Sequence, residues 1–310
     1  MNNTLYPPEG LLSDSNHPYT LPFLKGAMEQ GDILEGKVVR CDTQRRLIVD
    51  LDGWTGIIPE AECVAPFISG AGKGIALLSC VGRTVSFLVT SMVISPKGDT
   101  CFMLSRRRAQ EKIMQQLCTD CLPGSVLPAR VTHLDSFGAF VDIGGGVISM
   151  IPLAAISVAR IRHPAERFTP GQKILTVAER IDPVQKRIYL THKELLGTWL
   201  ENASLFEVGE TVSGIVRGSK DYGIFVELTP NLSGLADYRE PLPPGTQVAV
   251  HIKSIQSERM KVKLQIIQTL ESVTSPPPLH YQITDGRIQR WCYSPPDYAK
   301  DPVVTDFTAP

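Results

Sequence analysis

The 310-residue sequence contains no run of the roughly 18 to 20 apolar residues that a membrane-spanning helix requires, so no membrane segment is expected. It has no charge excess either: 31 Lys and Arg face 32 Asp and Glu, a formal net charge of −1. That balance excludes a chain gripping polyanions through bulk positive charge and confines any nucleic-acid contact to local patches. Zinc spacing is missing. Cys118-Thr119-Asp120-Cys121 is the one tight pair among seven cysteines, and no second pair follows to complete four ligands. His17, His133, His163, His192, His251 and His280 show no metal spacing, so neither metal nor cofactor is expected. The odd, irregularly spaced cysteines suit a reducing cytoplasm, and Met1-Asn2-Asn3-Thr4 lacks a basic-then-apolar signal pattern. No Gly-x-Ser-x-Gly and no paired carboxylates are present. Gly70-Ala71-Gly72-Lys73-Gly74 fails as a phosphate loop: Phe67 stands where the first glycine belongs, and Gly74 where a magnesium-binding hydroxyl belongs. It reads as a loop insertion between strands. No enzyme and no small-molecule substrate are expected.

What is present is a chain able to fold. A hydrophobic share of 43% supports buried cores, and 25 Gly with 24 Pro suit short strands joined by turns. The chain also repeats itself. Leu134-Asp-Ser-Phe-Gly-Ala-Phe-Val-Asp-Ile143 matches Ser219-Lys-Asp-Tyr-Gly-Ile-Phe-Val-Glu-Leu228, and Gly124 through Val131 matches Gly209 through Val216 at the same offset. A weaker third copy begins at Gly31, with Val49-Asp50-Leu51 under Val141-Asp142-Ile143. Each copy ends in two alternating runs: Thr84–Val89 and Cys101–Ser105, Ile174–Glu179 and Arg187–Thr191, Val248–Ile255 and Lys261–Leu264. Period-two alternation with one buried face, repeated at this size, predicts small closed antiparallel barrels.

Between the copies the period changes. Ser105 caps a predicted helix from Arg106 to about Leu117, and Thr191 with Glu194 forms a capping box opening a helix from Lys193 to about Phe206. Arg106-Arg107-Arg108 reads as a solvated helix start, although cations in a first turn oppose the helix dipole and hint at another use. The reading is all-β. It comprises a loosely held leader (1–30), interrupted by Pro7, Pro8, Pro18 and Pro22; a first barrel (31–105); a helical linker (106–122); a second barrel (123–191); a helical linker (192–207); a third barrel (208–269); and a tail (270–310). In the tail a stiff Ser275-Pro276-Pro277-Pro278 linker precedes a hairpin about Asp285-Gly286.

Gly124 with Val131 seven positions on, then Asp135-Ser-Phe-Gly-Ala-Phe-Val-Asp-Ile143 and Ile181-Asp182 with Arg187-Ile-Tyr-Leu-Thr191, resembles the S1 RNA-binding domain, a repeat of oligonucleotide-binding barrel fold. The runs Thr191–Trp199 and Tyr222–Leu232 are similar to the short ribosomal protein S1 homologues of low-GC Gram-positive bacteria. The resemblance covers about 31–269. It implies a base-stacking platform of Phe137 and Phe140 in the second barrel and of Tyr222 and Phe225 in the third. It further implies RNA contacts at Arg187 and Lys261, which open the last strands, and at Asp182, before the turn. Independently of the family, the four aromatics read equally well as barrel core.

Departures accompany the match. Where many members carry a third-strand His, this sequence has Pro59, Pro152 and Asp237, so one RNA contact is expected to be missing from every copy. Gln256 replaces the acidic residue in the third copy. The first copy has Arg45 and Ile48 in place of the aromatics and Cys101 in place of the basic residue. Phosphate contacts through Arg45 and Arg46, or docking to the small ribosomal subunit without RNA contact, are the two expectations for it. The implied function is a non-catalytic, cytoplasmic, ribosome-associated protein that recruits single-stranded mRNA in translation. The alternative is an adaptor docking on the ribosome or RNA-degradation machinery with little direct RNA contact.

Overall fold

The structure, a computed structural model, describes residues 5–11, 19–68, 77–94, 98–237, 241–270 and 278–308. The glycine-rich run 70–74, Met1 to Thr4, Pro18, and Ser275 to Pro277 of the proline linker lie outside the described residues.

Alternating residues build three five-stranded barrels in tandem. The first comprises β1 (Ile33–Cys41), β2 (Leu47–Leu51), β3 (Trp54–Ile58), β4 (Thr84–Ile94) and β5 (Thr100–Ser105), closed in the order β1-β2-β3-β5-β4. Leu47, Val49 and Leu51 of β2 and Phe102 and Leu104 of β5 project inward at period two and are buried. The second comprises β6 (Val126–Asp135), β7 (Gly138–Asp142), β8 (Ile148–Pro152), β9 (Lys173–Asp182) and β10 (Arg187–Thr191), ordered β10-β9-β6-β7-β8. The third, β11 (Thr211–Lys220), β12 (Gly223–Thr229), β13 (Leu232–Ala236), β14 (Gln247–Gln256) and β15 (Lys261–Thr269), closes as the first does. In the first and third barrels a short parallel ladder closes the ring, Thr55 to Ile57 beside Cys101 to Met103, and Leu235 and Ala236 beside Lys263 and Leu264. The second barrel differs here. Its β8 and β10 adjoin through the Ser149 hydroxyl, which donates to the Ile188 carbonyl, rather than through a ladder.

The leader departs from the sequence expectation of a loosely held segment. Pro22 does not interrupt regular structure; it stands in the first turn of a helix, Leu21–Gln30, that Thr20 caps, because a helix start requires no N–H there. Leu24 and Ala27 of this helix are buried in the first barrel's core. Residues 5–11 are wedged between the first two barrels. Glu9 receives Arg106 Nε and Nη2 at 2.7 and 2.8 Å, while its own N–H donates to Asp142 Oδ2 at 2.8 Å. Burial, with the Glu9 charge nearby, pushes the Asp142 carboxyl up to about 7. The linker helix, Arg106–Asp120, is capped by Ser105 as expected. Its three arginines divide: Arg106 is buried in this junction, Arg107 pairs with Glu62 and Glu111, and Arg108 is exposed.

The second linker is not the single helix expected. Thr191 Oγ1 does bond Glu194 Oε2 at 2.6 Å, but only a 3-10 turn, Lys193–Leu196, follows. Gly197, at φ 83°, breaks the chain before a second start at Thr198, whose capping box with Glu201 opens the short helix Trp199–Ala203. Leu195, Leu196 and Trp199 are buried, whereas Leu200 is exposed.

The tail also differs in detail. No strand pair flanks Asp285-Gly286; the hairpin-like pair is β16 (Arg290–Cys292) with β17 (Val304–Asp306). The segment about Gly286 lies instead along the start of β6, with Val126 N donating to Gly286 O and Ile288 N to Gly124 O. A packed surface outweighed the local turn propensity. Ile288, Trp291, Tyr293 and Phe307 join the third barrel's core, so the tail fills the junction between the second and third barrels. There Tyr281 OH bonds His192 Nε2 at 3.1 Å, and Tyr293 OH donates to Asn231 O. Arg167, Glu227 and Arg217 form a second buried ionic cluster in the same junction.

Candidate nucleic-acid interface

Phe137 and Phe140 are three residues apart, a spacing that within one strand would send them to opposite faces. Phe137 instead occupies the turn between β6 and β7, and Phe140 is the third residue of β7. Both rings therefore stand on the outer surface, edge to face with centroids 5.8 Å apart. Phe137 is 54% exposed and Phe140 half-buried, while Ala139 and Val141 between and beyond them enter the core. The core reading of these rings is set aside. Gly138 is demanded by close approach: a Cβ there would lie 2.6 Å from the Ile151 carbonyl oxygen of β8.

The third barrel repeats the device. Tyr222 lies in the turn before β12, 68% exposed, and Phe225 is the third residue of the strand; their centroids are 6.1 Å apart at 88°. Gly223 is held as Gly138 is, with its built Cβ 2.6 Å from Ala236 O.

Register fixes what surrounds each ring. The first strand of every barrel carries a bulge at the same place, between Val38 and Arg40, Val131 and His133, and Val216 and Gly218. Across the sheet this produces the row His133–Phe140–Met150 in the second barrel and Gly218–Phe225–Leu235–Lys263 in the third. The first barrel has Arg40–Ile48–Ile57–Met103 there, an aliphatic row with Ile48 buried. Its sheet offers no ring at this position. Arg45 and Arg46, the expected phosphate contacts, lie in the β1–β2 connection, paired with Glu60 at 2.8 Å and Asp42 at 2.7 Å.

Arg187 and Lys261 are exposed at the starts of their last strands. Asp182 sits opposite Arg187 and accepts from Gln185 N at 2.9 Å, so it shapes the turn that carries Lys186 and Arg187. Four further residues join the surface. His133 lies 6.0 Å from the Phe140 ring, so an imidazole adjoins the platform from β6 although the third-strand position is Pro152. Tyr189 follows Arg187 by two on the same face and carries Arg180 over its ring at 3.9 Å. Lys263 follows Lys261 in the same way. Parity along the strand could have identified Tyr189 and Lys263; His133 required the bulge.

Flat rings with cations beside them suit a chain of stacked bases and phosphates. Residues 123–193 match the family model of the S1 RNA binding domain. The second barrel is an S1 domain. Beyond this S1 domain, the chain is similar to the small ribosomal subunit protein bS1 of Leuconostoc lactis, 26% identical over 248 residues, covering 79% of this chain and 52% of that one. The bS1 protein of Staphylococcus aureus is 28% identical over 263 residues, covering 80% and 64%. The chain thus spans about half to two thirds of the length of these relatives. Among solved structures, a multidomain protein with nucleic acid binding domains from Streptococcus pneumoniae covers 77% of the chain at 15% identity, with a TM-score of 0.25.

Proposed function

We propose that the protein is a non-catalytic RNA-binding protein that holds single-stranded RNA on the outer faces of its second and third barrels, works in the cytoplasm, and brings mRNA to the small ribosomal subunit. The observation carrying this reading is the pair of edge-to-face aromatics kept on the outer face in two successive barrels, each barrel with exposed cations on its last strand. Stacking on such rings contributes about 1–3 kcal/mol per base and tolerates any base, because every base has a flat face. The site residues in this reading are Phe137, Phe140, Asp182 and Arg187 in the second barrel, and Tyr222, Phe225 and Lys261 in the third. His133, Arg180, Tyr189 and Lys263 join them. Two weak platforms on one chain reinforce each other through effective concentration. The first barrel, with its aliphatic row and with Arg45 and Arg46 already ion-paired, suits docking better than phosphate binding.

Fluorescence anisotropy of a labelled, unstructured RNA across a salt series tests the reading. Phe140→Ala with Phe225→Ala is expected to weaken binding at least about tenfold. Unchanged affinity in that variant overturns it. Co-sedimentation of the full chain with small ribosomal subunits, expected at low salt and reduced at high salt, tests the ribosomal partner.

A further inference from the structure

The unladdered seam between β8 and β10 opens into a cleft of about 220 Å³ beside the platform, walled by Phe140, Met150, Lys186, Arg187 and Tyr189. Phe67, which belongs to the first barrel, lines it too. Phe67 is half-buried, packs against the second barrel's core, and has Lys186 Nζ 5.6 Å from its ring centroid. Met114 of the linker helix forms part of the wall and is shared with a second, wider concavity of about 720 Å³. Arg108, Lys112, Gln115 and Thr119 line that concavity at helical spacing, one face of the linker helix, with Lys186 opposite them. Its one acidic lining residue, Glu111, is paired with Arg107 at 3.1 Å. Arg108 has no ion-pair partner among the described residues. Ring-walled at one end and cationic along the other, the combined groove complements a base followed by its phosphates.

We infer that the first barrel and the linker helix complete the RNA groove of the second barrel: one base enters between Phe140 and Phe67, and the adjoining phosphates run past Lys186 to Arg108 and Lys112. This rests on the RNA-binding reading and changes the first barrel's part in it. That barrel has lost its own platform but supplies a wall to its neighbour's. The buried Glu9–Arg106 junction holds the two barrels in the relation the groove needs.

The test uses the full chain and labelled oligouridylate. Phe67→Ala is expected to weaken binding about five- to tenfold, approaching the effect of Phe140→Ala, and Arg108→Gln about two- to threefold with a shallower salt dependence. Phe67→Leu keeps the apolar packing and removes only the ring, so its expected loss of affinity at unchanged melting temperature separates stacking from folding. An oligonucleotide carrying 4-thiouridine should photo-crosslink to the peptide containing Phe67. Wild-type affinity in both Phe67 variants, with Phe140→Ala still weakened, overturns the composite groove and leaves the RNA reading standing. Wild-type affinity in Phe140→Ala as well removes both.

Discussion

Replacing Glu227 by Gln probes the buried cluster that joins the second and third barrels. Glu227 is 3% exposed and Arg167 fully buried. Arg167 Nη2 donates to Glu227 Oε2 at 2.5 Å, and Arg217 Nε and Nη2 donate to its two oxygens at 2.6 and 3.1 Å. Arg217 also pairs with Glu166, but among the described residues Arg167 has no other ion-paired carboxylate, and its Nε has no partner there. A glutamine keeps the shape and removes the charge, leaving two guanidiniums facing each other in a dry junction. Breaking a buried pair in this way costs about 3–5 kcal/mol. At about 2–4 °C per kcal/mol for a cooperative unit of this size, the second and third barrels should melt roughly 6–20 °C lower by calorimetry. Because the cluster fixes how the two platforms face one another, affinity for an RNA long enough to reach both should fall more than affinity for a short one. Arg167→Met in the same chain removes one of the orphaned charges and should recover part of the loss, a coupling that a double-mutant cycle measures. A melting shift under about 2 °C for Glu227→Gln, with no coupling in the cycle, refutes the reasoning.

Three further outcomes follow from buried groups and close approaches. His192 lies in the same junction, and burial lowers its pKa from 6.5 to about 4. Between those values the unfolded chain binds a proton that the native state refuses, so stability from this group falls by roughly 3 kcal/mol as pH drops from about 6.5 to 4; an NMR titration of His192 should show it neutral down to about pH 4. Asp142, raised to about 7, has the opposite sign: its contribution is lost as pH rises toward 7, so acid sensitivity should steepen in Asp142→Asn as measured by pH-dependent urea unfolding. Gly138→Ala forces a methyl group against Ile151 O and should cost about 1–3 kcal/mol, lowering RNA affinity through a displaced Phe137, as thermal melting and anisotropy would report.

Much of the architecture was legible because barrels of this size impose period two on every strand, and the repeat printed that pattern three times. Local signals failed where tertiary packing opposed them. The Asp285-Gly286 turn yielded to an edge contact with β6, and the expected helix after Thr191 was split at Gly197, where the tail's Gln282 side chain packs close.

The sequence alone determined the three barrels, the Ser105-capped linker helix, and which rings lie beside a glycine in the turn-to-strand step, since each depends on residues near one another in the chain. Only the tertiary structure decided that residues 5–11 and 278–308 are structural wedges, that the three arginines of the linker divide among burial, pairing and exposure, and that Phe67 lines the same cleft as Phe140. Those outcomes depend on which surfaces distant along the chain meet, and on one bulge whose extra residue turns His133 toward its neighbour's ring. No periodicity within a segment carries that information.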